Sequence, residues 1–267
     1  MPPPARPRTL TSLVDRCVDP AAACAVAAAY LGACTRRDSL TRAAYAHLVA
    51  ESDRLLRRIT SPDEPDRVRV RFTTCPDPYR DADELIASVM DDRLLEVTTV
   101  AVDPHRRHPL MDSTMGGAYD RFRAVHDIVG HAGLGLGFDR NGEFATWLHQ
   151  ERFHSPAARR ALATELHAQN SVLWTTGTMA EPKAVLLDPE LLRRSRQSGC
   201  RRVPDGKRAV HQTVPPLSTM DTAATVLAGT SSVTVHGCSS TGGRRSRARV
   251  PSPSSTASQY VASTVAP

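Results

Sequence analysis

His126 and His131 stand five residues apart in Tyr119-Asp-Arg-Phe-Arg-Ala-Val-His126-Asp-Ile-Val-Gly-His131, and Glu165 follows 34 residues later. Two neutral imidazoles and one carboxylate can hold a single metal ion while leaving up to three octahedral positions open, the donor set of non-haem Fe(II) that activates oxygen. Seven of the ten histidines (105, 108, 126, 131, 149, 154 and 167) fall between residues 105 and 167. So local an enrichment points to a metal centre or to acid/base work. The spacing sets a geometric condition. On a straight α-helix positions i and i+5 lie roughly 140° apart, so one histidine must sit at a helix end or on a distorted turn. Gly130, directly before His131, supplies that freedom.

The stretch His126-Asp-Ile-Val-Gly-His131 resembles the H-E-x-x-G-H motif of the pterin-dependent aromatic amino acid hydroxylases. In that family both histidines and a later helical glutamate hold the catalytic iron, so the resemblance implies His126, His131 and Glu165 as ligands. The wider stretch from Phe122 to Trp174 is similar to uncharacterised actinobacterial and phage-encoded proteins that carry F-R-A-V-H-D-x-x-G-H. The hydroxylase resemblance covers about 50 residues and departs in places. Asp127 replaces the motif glutamate, Ala132-Gly133 stands where the family continues Val-Pro, and the interval to the glutamate is shorter. No residue is assigned to the family's pterin-stacking aromatic or substrate-carboxylate arginine. The resemblance therefore implies Fe(II) more strongly than a pterin.

Other residues of the stretch have candidate roles. Asp127 and Glu143 are candidate catalytic carboxylates, and with Gln169 and Asn170 they are also candidates to orient the ligands. Glu143 is equally a fourth ligand, a general base or a plain first-turn helix acid. His105 and His108, with Arg106 and Arg107 between them, read as an anionic-substrate site or as an exposed basic loop; Arg121 and Arg123 share that ambiguity. His149, His154 and His167 are expected at the surface, and Phe144 and Trp147 in the core.

These groups need elements to position them. Ala-rich sequence predicts a helix over 20–31, and Tyr45, Leu48, Leu55 and Ile59 mark one buried face of a second over 40–59. Alternation in Val68-Arg-Val70-Arg-Phe72 predicts a strand, 81–90 a short helix, and 94–102 a second strand. A helix from Tyr119 runs into the histidine pair, and another spans 143–153. Ser155-Pro156 opens a third that carries Glu165 to about Trp174, with a capping hydroxyl and proline at the first helical position. The fold class is α+β, mainly helical, with a helical metal-binding half beside a small strand-helix-strand unit. Residues 1–10 are expected to be disordered, 11–192 to form one domain, and 193–267 to be a basic, Ser/Thr/Pro-rich disordered tail.

Composition narrows the function classes. The chain has 267 residues and a formal charge of +6. From Arg193 onward it carries eleven Lys and Arg against two acids, so the preceding 192 residues are net acidic, at −3. The basic balance belongs to the tail, and nucleic acid is an expected partner only through it. Six scattered cysteines without a C-x-x-C suit reduced thiols in the cytoplasm, and no apolar run is long enough for a membrane span. The expected activity is hydroxylation or other oxidation of a small organic substrate by one Fe(II) and O2. Two rivals remain: an HD-type phosphohydrolase built on His126-Asp127, with His105 or His108 and Asp139 or Asp188 completing its site, and a non-catalytic accessory protein docking through its tail.

Overall fold

The computed structural model describes residues 16–198, which lie within one compact unit. The expectations for residues 1–10 and for most of the tail fall outside the described residues.

Helix α1 (Pro20–Gly32) begins at Asp19, whose carboxylate accepts the Ala22 amide, with Pro20 in the first turn. Helix α2 (Ser39–Ile59) is capped in the same way by Asp38. Strand β1 (Arg69–Thr73) and strand β2 (Leu94–Thr98) pair in parallel with Arg69 opposite Leu94. Helix α3 (Ala82–Met90) makes the crossover that a parallel pair requires. The second strand is shorter than its apolar run, because the Thr99 hydroxyl accepts the Ala101 amide and turns Val100–Val102 into a 3-10 turn.

Helix α4 (Ala118–Val125) continues without a break into a π-helical turn, His126–Ala132. Helix α5 (Arg140–Gln150) follows, starting three residues earlier than its sequence pattern indicated because Asp139 accepts the Asn141 and Gly142 amides. Beyond Gln150 the expected helix tightens into a 3-10 turn, Glu151–Phe153. Ser155 and Pro156 open α6 (Pro156–Ala163), as their types dictate. That helix then passes through a second π turn, Thr164–Ala168, into α7 (Gln169–Thr176), which ends at left-handed Gly177.

Helix α8 (Pro189–Ser198) crosses the expected boundary between domain and tail at residue 192. Asp188 caps it through the Glu190 amide. Leu192 and Ser195 are buried, so the basic stretch begins as a packed helix.

Among the described residues, two large apolar clusters and a small one (Leu134, Leu136, Ala145) form the core. The larger gathers Val26 and Tyr30 of α1, Tyr45 and Leu48 of α2, Trp147 of α5 and Leu162 of α6. The smaller joins Leu56 at the far end of α2 to Val89, Leu95 and Val97 of the strand unit. Tyr119 and Phe122 on α4 belong to the first cluster, while Ala124, Val125 and Ile128 belong to the second. The histidine-bearing helix is thus the seam of the molecule, fixed on both flanks by burial worth about 1.5–3 kcal/mol per large side chain. No helix among the described residues is long and apolar enough to cross a membrane.

Candidate metal centre

The first π turn resolves the spacing problem. Its backbone pairs i with i+5, which takes an extra residue into the turn and brings His131 back over His126. The two Nε2 atoms are 3.1 Å apart. Gly130 serves here by size. A Cβ on it would lie 2.9 Å from Thr146 Cβ of α5 and 3.5 Å from His126 Nδ1, so its hydrogen lets the turn press against α5. Gly142 does the same one turn earlier on α5, where a Cβ would stand 2.1 Å from the Gly137 carbonyl oxygen. These close approaches carry Glu143 up to the histidines.

The group that can hold a metal ion is His126, His131 and Glu143. Glu143 Oε2 is 3.3 Å from His126 Nε2, and its Oε1 is 3.4 Å from His131 Nε2. Ligand atoms about 2.0–2.2 Å from one ion are separated by roughly 3.0 Å across adjacent octahedral positions and roughly 3.4 Å in a tetrahedron. The observed triangle fits that range.

Hydrogen bonds on the far sides of the rings fix which atoms face inward. His131 Nδ1 lies 3.0 Å from the Leu136 carbonyl oxygen, which only accepts, so Nδ1 carries the proton. His126 Nδ1 is 3.1 Å from Gln150 Oε1 and donates likewise. Both Nε2 lone pairs therefore point at the Glu143 carboxylate and at each other. Three acceptors aimed at one point repel until a cation sits among them. Burial raises the Glu143 carboxyl, but when His126 and His131 also carry a proton on Nε2 their hydrogen bonds to it outweigh burial and hold the group well below the usual carboxylate range. For His131 burial lowers the pKa, yet the Glu143 carboxylate prevails and raises it, the same demand for positive charge met by a proton. Asn170 Nδ2 donates to Glu143 Oε2 at 2.8 Å and orients it.

Glu165, the ligand expected from the sequence, stands outside this group. It lines the same cavity, about 170 Å3 in volume, but its oxygens are already engaged. Oε1 accepts the Tyr45 hydroxyl at 2.7 Å, and Oε2 accepts Gln169 Nε2 at 2.6 Å. His108 Nε2 lies 3.2 Å from Oε1. The His108 Nδ1 accepts the Leu110 and Met111 amides, so its proton is on Nε2, facing the carboxylate. Two hydrogen bonds, from Tyr45 and Gln169, with the His108 N–H facing Oε1 beside them, do around one buried carboxylate the work a cation would otherwise do. Sequence separation hid two of these, Tyr45 of α2 and His108 of a loop, whereas Gln169 lies one helical turn beyond Glu165.

The remaining candidates divide clearly. Asp127 lines the cavity, and burial pushes its carboxyl above the usual range against the pull of His126, His131 and Arg123. Gln169 and Asn170 hold the two glutamates, one each. His105 is exposed and faces Glu181 at 3.7 Å. Gln150, which carries no local signal that singles it out, is fully buried against His126. Two of the three histidines expected at the surface are buried: His154, whose Nδ1 donates to the Gln150 carbonyl, and His167, stacked on Trp147 at 4.3 Å. The ligand set of the HD-type reading does not assemble, because Asp139 and Asp188 cap helices and His108 is turned to Glu165.

No family model matches the chain, and neither does any curated protein or solved structure.

Proposed function

We propose that this chain is a mononuclear metal-dependent enzyme, with His126, His131 and Glu143 holding Fe(II), that hydroxylates or otherwise oxidises a small organic substrate with O2. The observation that carries the reading is the convergence of two proton-free Nε2 atoms and a carboxylate within 3.1–3.4 Å of one another. Both imidazoles are turned into that position by carbonyl acceptors behind them, an arrangement that fixes tautomer and orientation in metal sites. Fe(II) held by such a donor set supplies redox chemistry toward O2.

The chain's own residues define the rest. Phe122, Phe138 and Met179 give the cavity apolar walls beside the ligand group. Asp127, adjacent to the ligands and with a raised carboxyl, is placed to hold or pass a proton. Glu165, held from behind by the Tyr45 hydroxyl, forms part of the inner wall. The reading does not require a pterin.

Anaerobic purification followed by elemental analysis tests it. One iron per chain and O2 consumption with turnover are expected, with both lost in His126→Ala. Stoichiometric zinc with no oxygen uptake would replace oxidation by hydrolysis, since two histidines and a glutamate also serve catalytic zinc.

A further inference from the structure

A sheet of two strands has two edges, and this chain treats them differently. The Arg69 amide donates to the Arg93 carbonyl oxygen and the Thr99 amide to the Thr73 carbonyl oxygen, both at 2.8 Å, which fixes the phase of the parallel ladder. Residues 69, 71 and 73 of β1 therefore bond to β2, while 70 and 72 point to the opposite edge; on β2, residues 94, 96 and 98 point away from β1. Side chains close the β2 edge. The Ser88 hydroxyl donates to the Leu94 carbonyl oxygen at 2.9 Å, the Tyr79 hydroxyl accepts the Glu96 amide at 2.7 Å, and the Arg123 guanidinium donates to the Thr98 carbonyl oxygen at 2.5 Å. At the β1 edge the Val68 amide donates to the Ile59 carbonyl oxygen at 3.1 Å. Beyond it, the outward N–H and C=O groups of Val70 and Phe72 have no hydrogen-bond partner among the described residues.

Bare backbone along a strand is a template for one more strand. What can fill it follows from the side chains, which alternate between the two faces. Val70 and Phe72 are half-buried and pack against the cluster of Leu95 and Val97, whereas Arg69 and Arg71 are exposed on the other face. Arg71 pairs with Glu96, its neighbour across the ladder, at 2.9 Å, yet its side chain stays 66% exposed. A carboxylate opposite Arg71 on a third strand would continue that row as acid, base, acid. A second copy of this chain brings the wrong charge. The antiparallel register that uses both outward residues of each copy, 70 with 72, sets Arg71 against Arg71, and like charges directly opposite are destabilising. The chain's own remainder lacks alternating acids: residues 1–15 hold Asp15, and residues 199–267 hold Asp205 and Asp221.

We infer that the open edge of β1 is a docking site for an extended segment of another protein, one whose carboxylates alternate with apolar side chains. The carboxylates face Arg69 and Arg71, and the apolar side chains cover Val70 and Phe72. No metal ligand takes part. The test titrates the full chain by calorimetry with a short peptide alternating glutamate and valine, and with its lysine-valine counterpart, while amide hydrogen exchange is followed at Val70 and Phe72. The glutamate peptide is expected to bind roughly 10-fold more tightly than the lysine peptide and to slow exchange at both amides. Val70→Pro, which an edge tolerates where the N–H faces outward, should weaken the glutamate peptide roughly 5-fold or more, with circular dichroism and metal content as in wild type. Arg71→Glu combined with Glu96→Arg keeps the cross-strand pair and should abolish or reverse the preference for the glutamate peptide. Equal binding of the two peptides, binding that leaves the Val70 and Phe72 amides unprotected, or a preference unchanged by the charge swap overturns the inference. Dimerisation of the chain that is lost in Val70→Pro would assign the edge to a second copy and overturns the inferred partner.

Discussion

Two groups of buried histidines in this molecule have surroundings that distinguish a ligand from a core residue. At the seam, His126 and His131 each spend Nδ1 on a carbonyl oxygen and turn a bare Nε2 toward Glu143. Behind α5, His167 is stacked on Trp147, and its Nε2 meets the Ser195 hydroxyl of α8 at 2.7 Å. Arg196 of the same helix lies over the Trp147 ring at 5.0 Å and pairs with Glu151. The groups in contact with the ring here are an indole, a phenyl ring and a hydroxyl. Burial, followed by the charges of Arg196 and Arg140, pushes the His167 ring down to about 3, so it stays neutral. A histidine that turns a bare Nε2 to a carboxylate calls for a cation, and one facing an indole and a guanidinium rejects a proton.

The sharpest way to break this contrast is to exchange the two glutamates. Glu143→Gln should remove stoichiometric metal, a loss greater than the roughly 10- to 100-fold that follows when a ligand's supporting partner is removed. Glu165→Gln should keep the metal, because its carboxylate is held by Tyr45 and Gln169. Elemental analysis of both variants, with far-UV circular dichroism to confirm folding, decides; loss of metal only in Glu165→Gln would reverse the assignment.

A smaller effect is expected one shell out. Gln150→Leu removes the acceptor behind His126 while filling similar space, and metal affinity should drop roughly 10- to 100-fold. A competition titration with a chelator measures it. Unchanged affinity would show that Gln150 does not hold the ring.

The mildest prediction concerns the other histidine. With its pKa at 6.5 when unfolded and about 3 when folded, His167 takes up a proton more readily in the unfolded chain. Its stabilising influence is therefore complete above about pH 6.5 and is lost as pH falls toward 3, at no more than about 1.4 kcal/mol per pH unit. Urea unfolding of wild type and His167→Phe between pH 7 and pH 5 isolates this slope, which should be shallower in the variant. Metal content should not change. Parallel slopes would mean that the ring protonates equally in both states.

How much of this was readable beforehand depends on the range of the interaction. The helix starts at Asp38 and Ser155 and the alternation of 68–72 are local signals, set by capping hydrogen bonds and side-chain period. The requirement for a distorted turn between His126 and His131 also followed from helix geometry, and the π turn meets it. Helix α8 was hidden because Arg193, Arg194 and Arg196 read as solvated charge, whereas Leu192 and Ser195 are buried and Arg196 packs over Trp147.

The choice between Glu143 and Glu165 was beyond any local rule. Both are helical acids at plausible distances along the chain, and both reach the same cavity. The amino-acid order by itself determined that two imidazoles would share a turn and that carboxylates would lie within reach. Tertiary packing decided which carboxylate faces them: Gly142 against Gly137 brings one to the imidazoles, and Tyr45 and Gln169 bind the other first. The Tyr45 hydroxyl of α2 reaches Glu165 only after the helices have packed, so the competition between a metal and a hydroxyl for that carboxylate does not exist in the unfolded chain.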